Sequence, residues 1–165
     1  MAGTTEMTAV DLMQKEVVTI AADESLREAL ALITSNHVSG LPVIDSHNRC
    51  VGIVSATDIL GYEEEQAEFA EQTGMEEVPY FDPESQRWES YRPSTSLEEM
   101  PEIPVAEVMS RDLVYVSPHL SIRDVAKKMI EEDVHRILVL DEKEHLYGII
   151  AAFDFVRLYA GKSNR

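Results

Sequence analysis

Gly52-Ile53-Val54-Ser55-Ala56-Thr57-Asp58 decides how this chain is read. Cys50 to Val54 suit a buried strand, which breaks into a polar turn and enters a helix at Ile59. At that break Ser55, Thr57 and Asp58 carry three oxygen-bearing side chains. They can accept from the orphan amides of a helix start, or turn outward and hold a ligand. The stretch recurs as Gly148-Ile149-Ile150-Ala151-Ala152-Phe153-Asp154, with the same Gly, Ile, Ala and Asp at the same spacing. Two copies make a repeat architecture.

Working outward, the copies extend well beyond the two stretches. Met13 pairs with Met109, Ser25 with Ser121, Arg27 with Arg123, Val43 with Val139, Asp45 with Asp141 and Gly52 with Gly148, at one offset of 96 positions without a gap. In the first copy a helical turn near Val10 leads into a strand from Val17 to Ile20. Leu26, Ala29, Leu30 and Ile33 fall at helical spacing, and strands follow at Leu41 to Ile44 and Cys50 to Val54. In the second copy Ile122, Val125, Ala126, Met129 and Ile130 share one helical face. The unit is strand, helix, strand, strand, helix. About fifty residues are too few to bury a core alone, so the copies are expected to pack on each other with pseudo-two-fold symmetry in an α/β (α+β) arrangement. The expected division is a tail at 1–9, repeat 1 at 10–62, an acidic strap at 63–102, repeat 2 at 103–160 and a tail at 161–165.

Charge narrows the partners. The formal net charge of −17 over 165 residues repels phosphate backbones and anionic lipid, so no nucleic acid and no membrane partner is expected. Apolar residues make up 44%, enough for a core, and no apolar run approaches the length of a bilayer span. The single Cys50 rules out an intrachain disulfide and suits a reducing compartment. The first residues lack the charged and apolar regions of a signal peptide, so the cytoplasm is expected. From Tyr62 to Glu102 thirteen acidic residues face two basic ones, which accounts for most of the net charge. After Gly74, Pro79, Pro83, Pro93 and Pro101 break any periodicity and predict a loop or extended strap. It carries Tyr80, Phe81, Trp88 and Tyr91. These aromatics can pin the strap to the protein's own surface, meet a partner or second copy, or cover a ligand.

The duplicated strand-helix-strand-strand-helix unit, each copy ending in the pattern Gly-x-x-Ser/Thr-x-x-Asp with Ala151 in place of the hydroxyl in the second, resembles the CBS domain (cystathionine β-synthase domain). Tandem copies form a Bateman module. Gly40-Leu41-Pro42-Val43-Ile44-Asp45 and His135-Arg136-Ile137-Leu138-Val139-Leu140-Asp141 resemble the family's second-strand pattern. The resemblance covers the chain except the tails and the strap. It implies two clefts that hold adenosine derivatives, each built from both copies. The first would combine Ile53, Ser55, Thr57 and Asp58 with Leu113, Val114, His135 and Arg136. There Asp58 would take the ribose hydroxyls, and Ser55, Thr57, His135 and Arg136 the phosphate. Ile53 and Val114 would sandwich the adenine.

The second cleft would use Val17, Val18, Ser39, Gly40, Ile149 and Asp154. It departs from the pattern, because Ala151 replaces the hydroxyl and Phe153 stands where the first copy has Thr57. Losing a charge-assisted hydrogen bond costs about 1.5–3 kcal/mol, so this cleft is expected to be weak, empty or adapted to an uncharged adenosine group. Taken singly, Asp58 could equally be a helix cap, and His135-Arg136 a solvated pair at a strand start. Catalytic readings find little support. The five histidines are dispersed, and neither a phosphate loop nor a nucleophile elbow is present. The expectation is a non-enzymatic regulatory module that binds AMP, ADP, ATP or S-adenosylmethionine. No cofactor is required, a homodimer is the default, and the regulated protein is unknown. The alternative is a constitutive scaffold with vestigial clefts and the strap as its working surface.

Overall fold

Five helices and eight strands follow one another in the computed structural model, which describes residues 6–82, 84–92 and 102–162. The first copy gives α1 (Ala9–Leu12), β1 (Ile20–Ala21), α2 (Leu26–Ser35), β2 (Gly40–Ile44), β3 (Cys50–Ser55) and α3 (Ala56–Thr73). A hairpin follows, β4 (Val78–Asp82) and β5 (Arg87–Tyr91). The second copy gives a 3-10 turn (Val105–Glu107), β6 (Tyr115–Val116), α4 (Ile122–Glu131), β7 (Arg136–Leu140), β8 (Leu146–Ala151) and α5 (Ala152–Tyr159). Each copy has its own three-stranded sheet, in the orders β1-β2-β3 and β6-β7-β8. In both, the first pair is parallel across a helical crossover, as a short strand-helix-strand unit requires.

Local chemistry repeats as faithfully as the sequence. Ser25 and Ser121 cap α2 and α4, their hydroxyl oxygens accepting from the N–H of Glu28 and Asp124. Both helices stop at a residue with positive φ, His37 at 54° and Asp133 at 53°. The next amides, Val38 and Val134, donate back to the carbonyls of Ile33 and Met129, which closes the helix ends in the same way.

Each compact unit draws on both sequence copies. One unit comprises residues 18–45 and 51–111, and the other 1–17, 46–50 and 112–165. The core of the first contains Leu26, Ala29, Leu41, Val43, Val54 and Ile59 together with Ile103, Val105 and Met109. That of the second contains Val116, Val125, Met129, Ile137, Val139 and Ile150 together with Ala9, Leu12 and Met13. The segment before each copy's first strand therefore completes the core built by the other copy's sheet. Backbone bridges fix the exchange at equivalent places, Ser25 to Pro104 and Ile53 to Ser110 in one unit, Thr8 to Ser121 and Gln14 to Ile149 in the other.

Several expectations change. The first strand is shorter than Val17 to Ile20, because only Ile20 and Ala21 pair with β2. The helix after the quoted stretch begins at Ala56 rather than Ile59, since Ser55 already caps it. The N-terminal tail is shorter than 1–9, as Ala9 is fully buried; residues 1–5 lie outside the described residues. Ile130, at the edge of the apolar face of α4, is 80% exposed. Among the described residues the strap is helix and hairpin rather than loop. Gly74 ends α3 at a φ of 68°, and Val78 to Tyr91 pair as an antiparallel hairpin with Phe81 opposite Trp88. Its Tyr91 packs edge-on against Tyr80, and the Tyr91 hydroxyl donates to Glu63 Oε1 on α3 at 3.4 Å. The remainder of the strap, 93–101, lies outside the described residues, as does the end of the C-terminal tail, 163–165.

Candidate functional site

The two strand-to-helix junctions hold the duplicated Asp residues, and their chemistry differs. In the first unit β3 runs into α3 through a reciprocal cap. The Ser55 N–H donates to Asp58 Oδ2 at 2.9 Å, and the Asp58 N–H donates to Ser55 Oγ at 3.1 Å. Asp58 is thus the third residue of the helix, not its cap. Its second carboxylate oxygen, Oδ1, has no partner among the described residues, and the side chain is half-buried. Thr57 is exposed and its hydroxyl makes no hydrogen bond among the described residues. Ser55 keeps its O–H free to donate, since the cap uses only its lone pair. One junction therefore offers an unengaged carboxylate oxygen and two hydroxyls at a helix N-terminus.

In the second unit the matching carboxylate is spent. Asp154 is 1% exposed, accepting from the Ala151 N–H at 2.7 Å through Oδ2 and from Gln14 Nε2 at 3.1 Å through Oδ1. Arg157 lies 3.7 Å from the same Oδ1 and stacks over the exposed ring of Phe153. Asp154, which the sequence reading assigned to the second cleft, is thus engaged by the first turn of its own helix and by Gln14 just after α1. Gln14 and Arg157 were missed. Arg157 could have been found three positions after Asp154 on one helix face, whereas Gln14 is 140 residues away and only the fold brings it there.

The other candidates fall into two sets. Ser39 and Gly40 lie at the start of β2 beside the first junction, where the Ser39 carbonyl accepts from the Ala56 N–H at 3.2 Å. A β-carbon on Gly40 would sit 3.0 Å from the Val54 carbonyl oxygen, a close approach that leaves little room for a side chain. Val18 belongs to the same unit and is half-buried. His135 and Arg136 occupy the equivalent place beside the second junction, with the His135 carbonyl accepting from the Ala152 N–H at 2.9 Å. Both are exposed. Leu113 and Val114 are half-buried, and the Val114 carbonyl receives the Leu138 N–H at 3.3 Å; Val17 falls in this second unit. Within a unit, the strand start assigned to one cleft thus flanks the helix start assigned to the other. The backbones of Ile53 and Ile149 are occupied by Ser110 and Gln14, leaving only their side chains for an apolar wall. No cluster of three metal-ligating side chains occurs among the described residues.

The sequence profile of the CBS domain matches residues 9–65 and again 105–161. The chain belongs to the CBS domain family. It is 26% identical over 158 residues to an uncharacterized protein of Methanocaldococcus jannaschii, covering 88% of this chain and 87% of that one. It is 28% identical over 131 residues to the chloroplastic CBS domain-containing protein CBSX1 of Arabidopsis thaliana, covering 79% of this chain and 53% of that one. Other relatives are longer: the chain spans 22% of the inosine-5'-monophosphate dehydrogenase of Methanocaldococcus jannaschii, at 22% identity over 89% of its own length. Among solved structures, CBSX2 in complex with AMP aligns at a TM-score of 0.67 and 23% identity, covering 93% of this chain and 96% of that one. The CBS domain pair of protein MJ0100, in complex with 5'-methylthioadenosine and S-adenosyl-L-methionine, aligns at 0.63 and 20% identity, covering 96% and 99%. The described residues are therefore two CBS repeats and the hairpin between them, and no helix among them is long and apolar enough to cross a membrane.

Proposed function

We propose that this CBS pair is a regulatory module that binds an adenine nucleotide or related adenosine ligand, using the junction at Ser55, Thr57 and Asp58. The observation that carries the reading is the unengaged Asp58 Oδ1 beside two hydroxyls able to donate, set against an Asp154 with both oxygens engaged. Two family members of the same fold carry AMP and S-adenosylmethionine, which supports the ligand class. Asp58 would accept the ribose hydroxyls, Thr57 and Ser55 would donate to ribose or phosphate, and the Ile53 side chain would face the base. The family's pattern adds His135 and Arg136 as phosphate donors and Leu113 and Val114 as adenine contacts. Ligand binding would favour one arrangement of the repeats, coupling nucleotide level to a partner protein in the cytoplasm or to a second copy in a homodimer. The chain would act without catalysing a reaction.

The test is calorimetry with AMP, ADP, ATP and S-adenosylmethionine on protein stripped of carried-over ligand. One saturable site per chain is expected for at least one of them. Arg136→Ala should weaken a phosphate-bearing ligand by about tenfold or more, in line with a lost charge-assisted bond. A double-mutant cycle with Asp58→Ala checks that both residues serve one ligand. No heat with any of the four sinks the sensor reading in favour of a constitutive scaffold.

A further inference from the structure

The hairpin between the repeats turns one aromatic face inward and another to solvent. Alternation along β4 and β5 puts Val78, Tyr80 and Tyr91 on the side that packs on α3, with Val78 and Tyr91 buried. The opposite side carries Pro79 and Phe81 across from Ser90 and Trp88. Trp88 is 73% exposed and Phe81 44%, their rings in edge contact at 5.7 Å. The inner aromatics make the contact with α3, through Tyr91 and Glu63, while the outer pair makes its ring contact in solvent. Its surroundings are acidic. Residues 76–92 hold five carboxylates, Glu76, Glu77, Asp82, Glu84 and Glu89, against Arg87 and Arg92; Asp82 and Glu89 lie on the inner side with Tyr80, and Arg92 is held by Glu76 at 3.3 Å. Ser90 donates to Glu77 Oε2 at 2.7 Å, which brings that carboxylate to the aromatic side.

We propose that this outer face docks a basic, partly apolar segment of a partner protein, distinct from the nucleotide reading of the β3–α3 junction. Arginine or lysine heads would sit over the Trp88 and Phe81 rings and against the carboxylates, while apolar side chains would cover Pro79 and the ring edges. Electrostatic complementarity selects this occupant: a chain of net charge −17 repels an acidic segment and a second copy of its own acidic hairpin alike.

The probe is a short peptide alternating arginine and leucine, titrated into the whole chain against its glutamate-leucine counterpart. Trp88 is the single tryptophan, so its emission reports the face directly. The arginine peptide is expected to bind saturably and shift that emission, and the glutamate peptide to leave it unchanged. By calorimetry, Phe81→Ser and Trp88→Ser should each weaken binding about fivefold or more, while Trp88→Phe stays within about twofold. Both residues are exposed, so the variants should keep the parent melting temperature. Absence of saturable binding, or equal affinity in the serine variants, overturns the proposal, the latter meaning diffuse charge attraction. Trp88-dependent self-association in sedimentation also overturns it, because a second copy then owns the face.

Discussion

At the residue scale, the glycines of the duplicated stretch serve packing. A β-carbon at Gly52 would lie 2.5 Å from Met109 Sδ and 2.8 Å from the Ser110 carbonyl oxygen. At Gly148 the same atom would meet Met13 Sδ at 2.7 Å and the Gln14 carbonyl oxygen at 2.6 Å. Backbone on one side prevents simple relief, so Gly52→Ala and Gly148→Ala should each cost about 1–3 kcal/mol of stability in urea unfolding. The paired aspartates should separate in the same assay. Asp154→Ala empties a buried site and removes the acceptor of the half-buried Ala151 N–H and of the Gln14 amide, and should cost about 1–3 kcal/mol. Asp58→Ala removes one side of an accessible cap, costing about 1 kcal/mol, and its larger effect should be on ligand affinity. Equal losses would mean that the two carboxylates do the same structural job. The spacing of both stretches was plain in the sequence. The burial of one Asp was not, because it depends on Gln14.

At the element scale, the contact between α3 and the hairpin gathers ionisable groups whose charged forms are disfavoured by burial. Burial pushes the Tyr62 phenol up to about 12, with the charges of Glu107 and Glu63 adding to it. Burial also raises Tyr91, again helped by Glu63, and raises the Glu63 carboxyl itself, where the Tyr91 hydrogen bond acts in opposition. A phenol that ionises later in the folded chain than in the unfolded one stabilises the fold below pH 10, and that contribution fades as pH rises from 10 towards 12. The melting temperature should therefore fall across that window, and less steeply in Tyr62→Phe. Absorbance at 295 nm should show Tyr62 and Tyr91 ionising above the range of a free phenol. A pH-independent melting temperature over 10–12 would remove the cluster as a source of stability. The proline count argued for a loop here, yet Pro79 is exposed in an edge strand, where a missing N–H breaks no essential bond.

At the scale of the whole molecule, sequence repeat and folding unit differ. The unit formed by β1, β2 and β3 buries Ile103, Val105 and Met109, and that formed by β6, β7 and β8 buries Ala9, Leu12 and Met13. Removing three such side chains from a small core forfeits about 1.5–3 kcal/mol for each large one, against a total stability of about 5–15 kcal/mol. Fragments 1–102 and 103–165 should each lack a cooperative melting transition alone and regain one when mixed. A cooperative transition in either fragment alone would show that the borrowed segment is dispensable.

The sequence by itself determined the repeat, the order of elements, the capping serines and the family, because each rests on local spacing that a 96-residue offset displays twice. It also named Ser55, Thr57 and Asp58 as the chemically capable set, since residue type at a helix start limits what a side chain can accept or donate. Tertiary structure decided the rest. Which segment completes which core, why Gly52 and Gly148 tolerate no side chain, and why Asp154 is engaged while Asp58 keeps an oxygen open all depend on contacts between residues far apart in the chain. A local pattern carries no record of such contacts, because packing is a property of surfaces that exist only once the chain has folded.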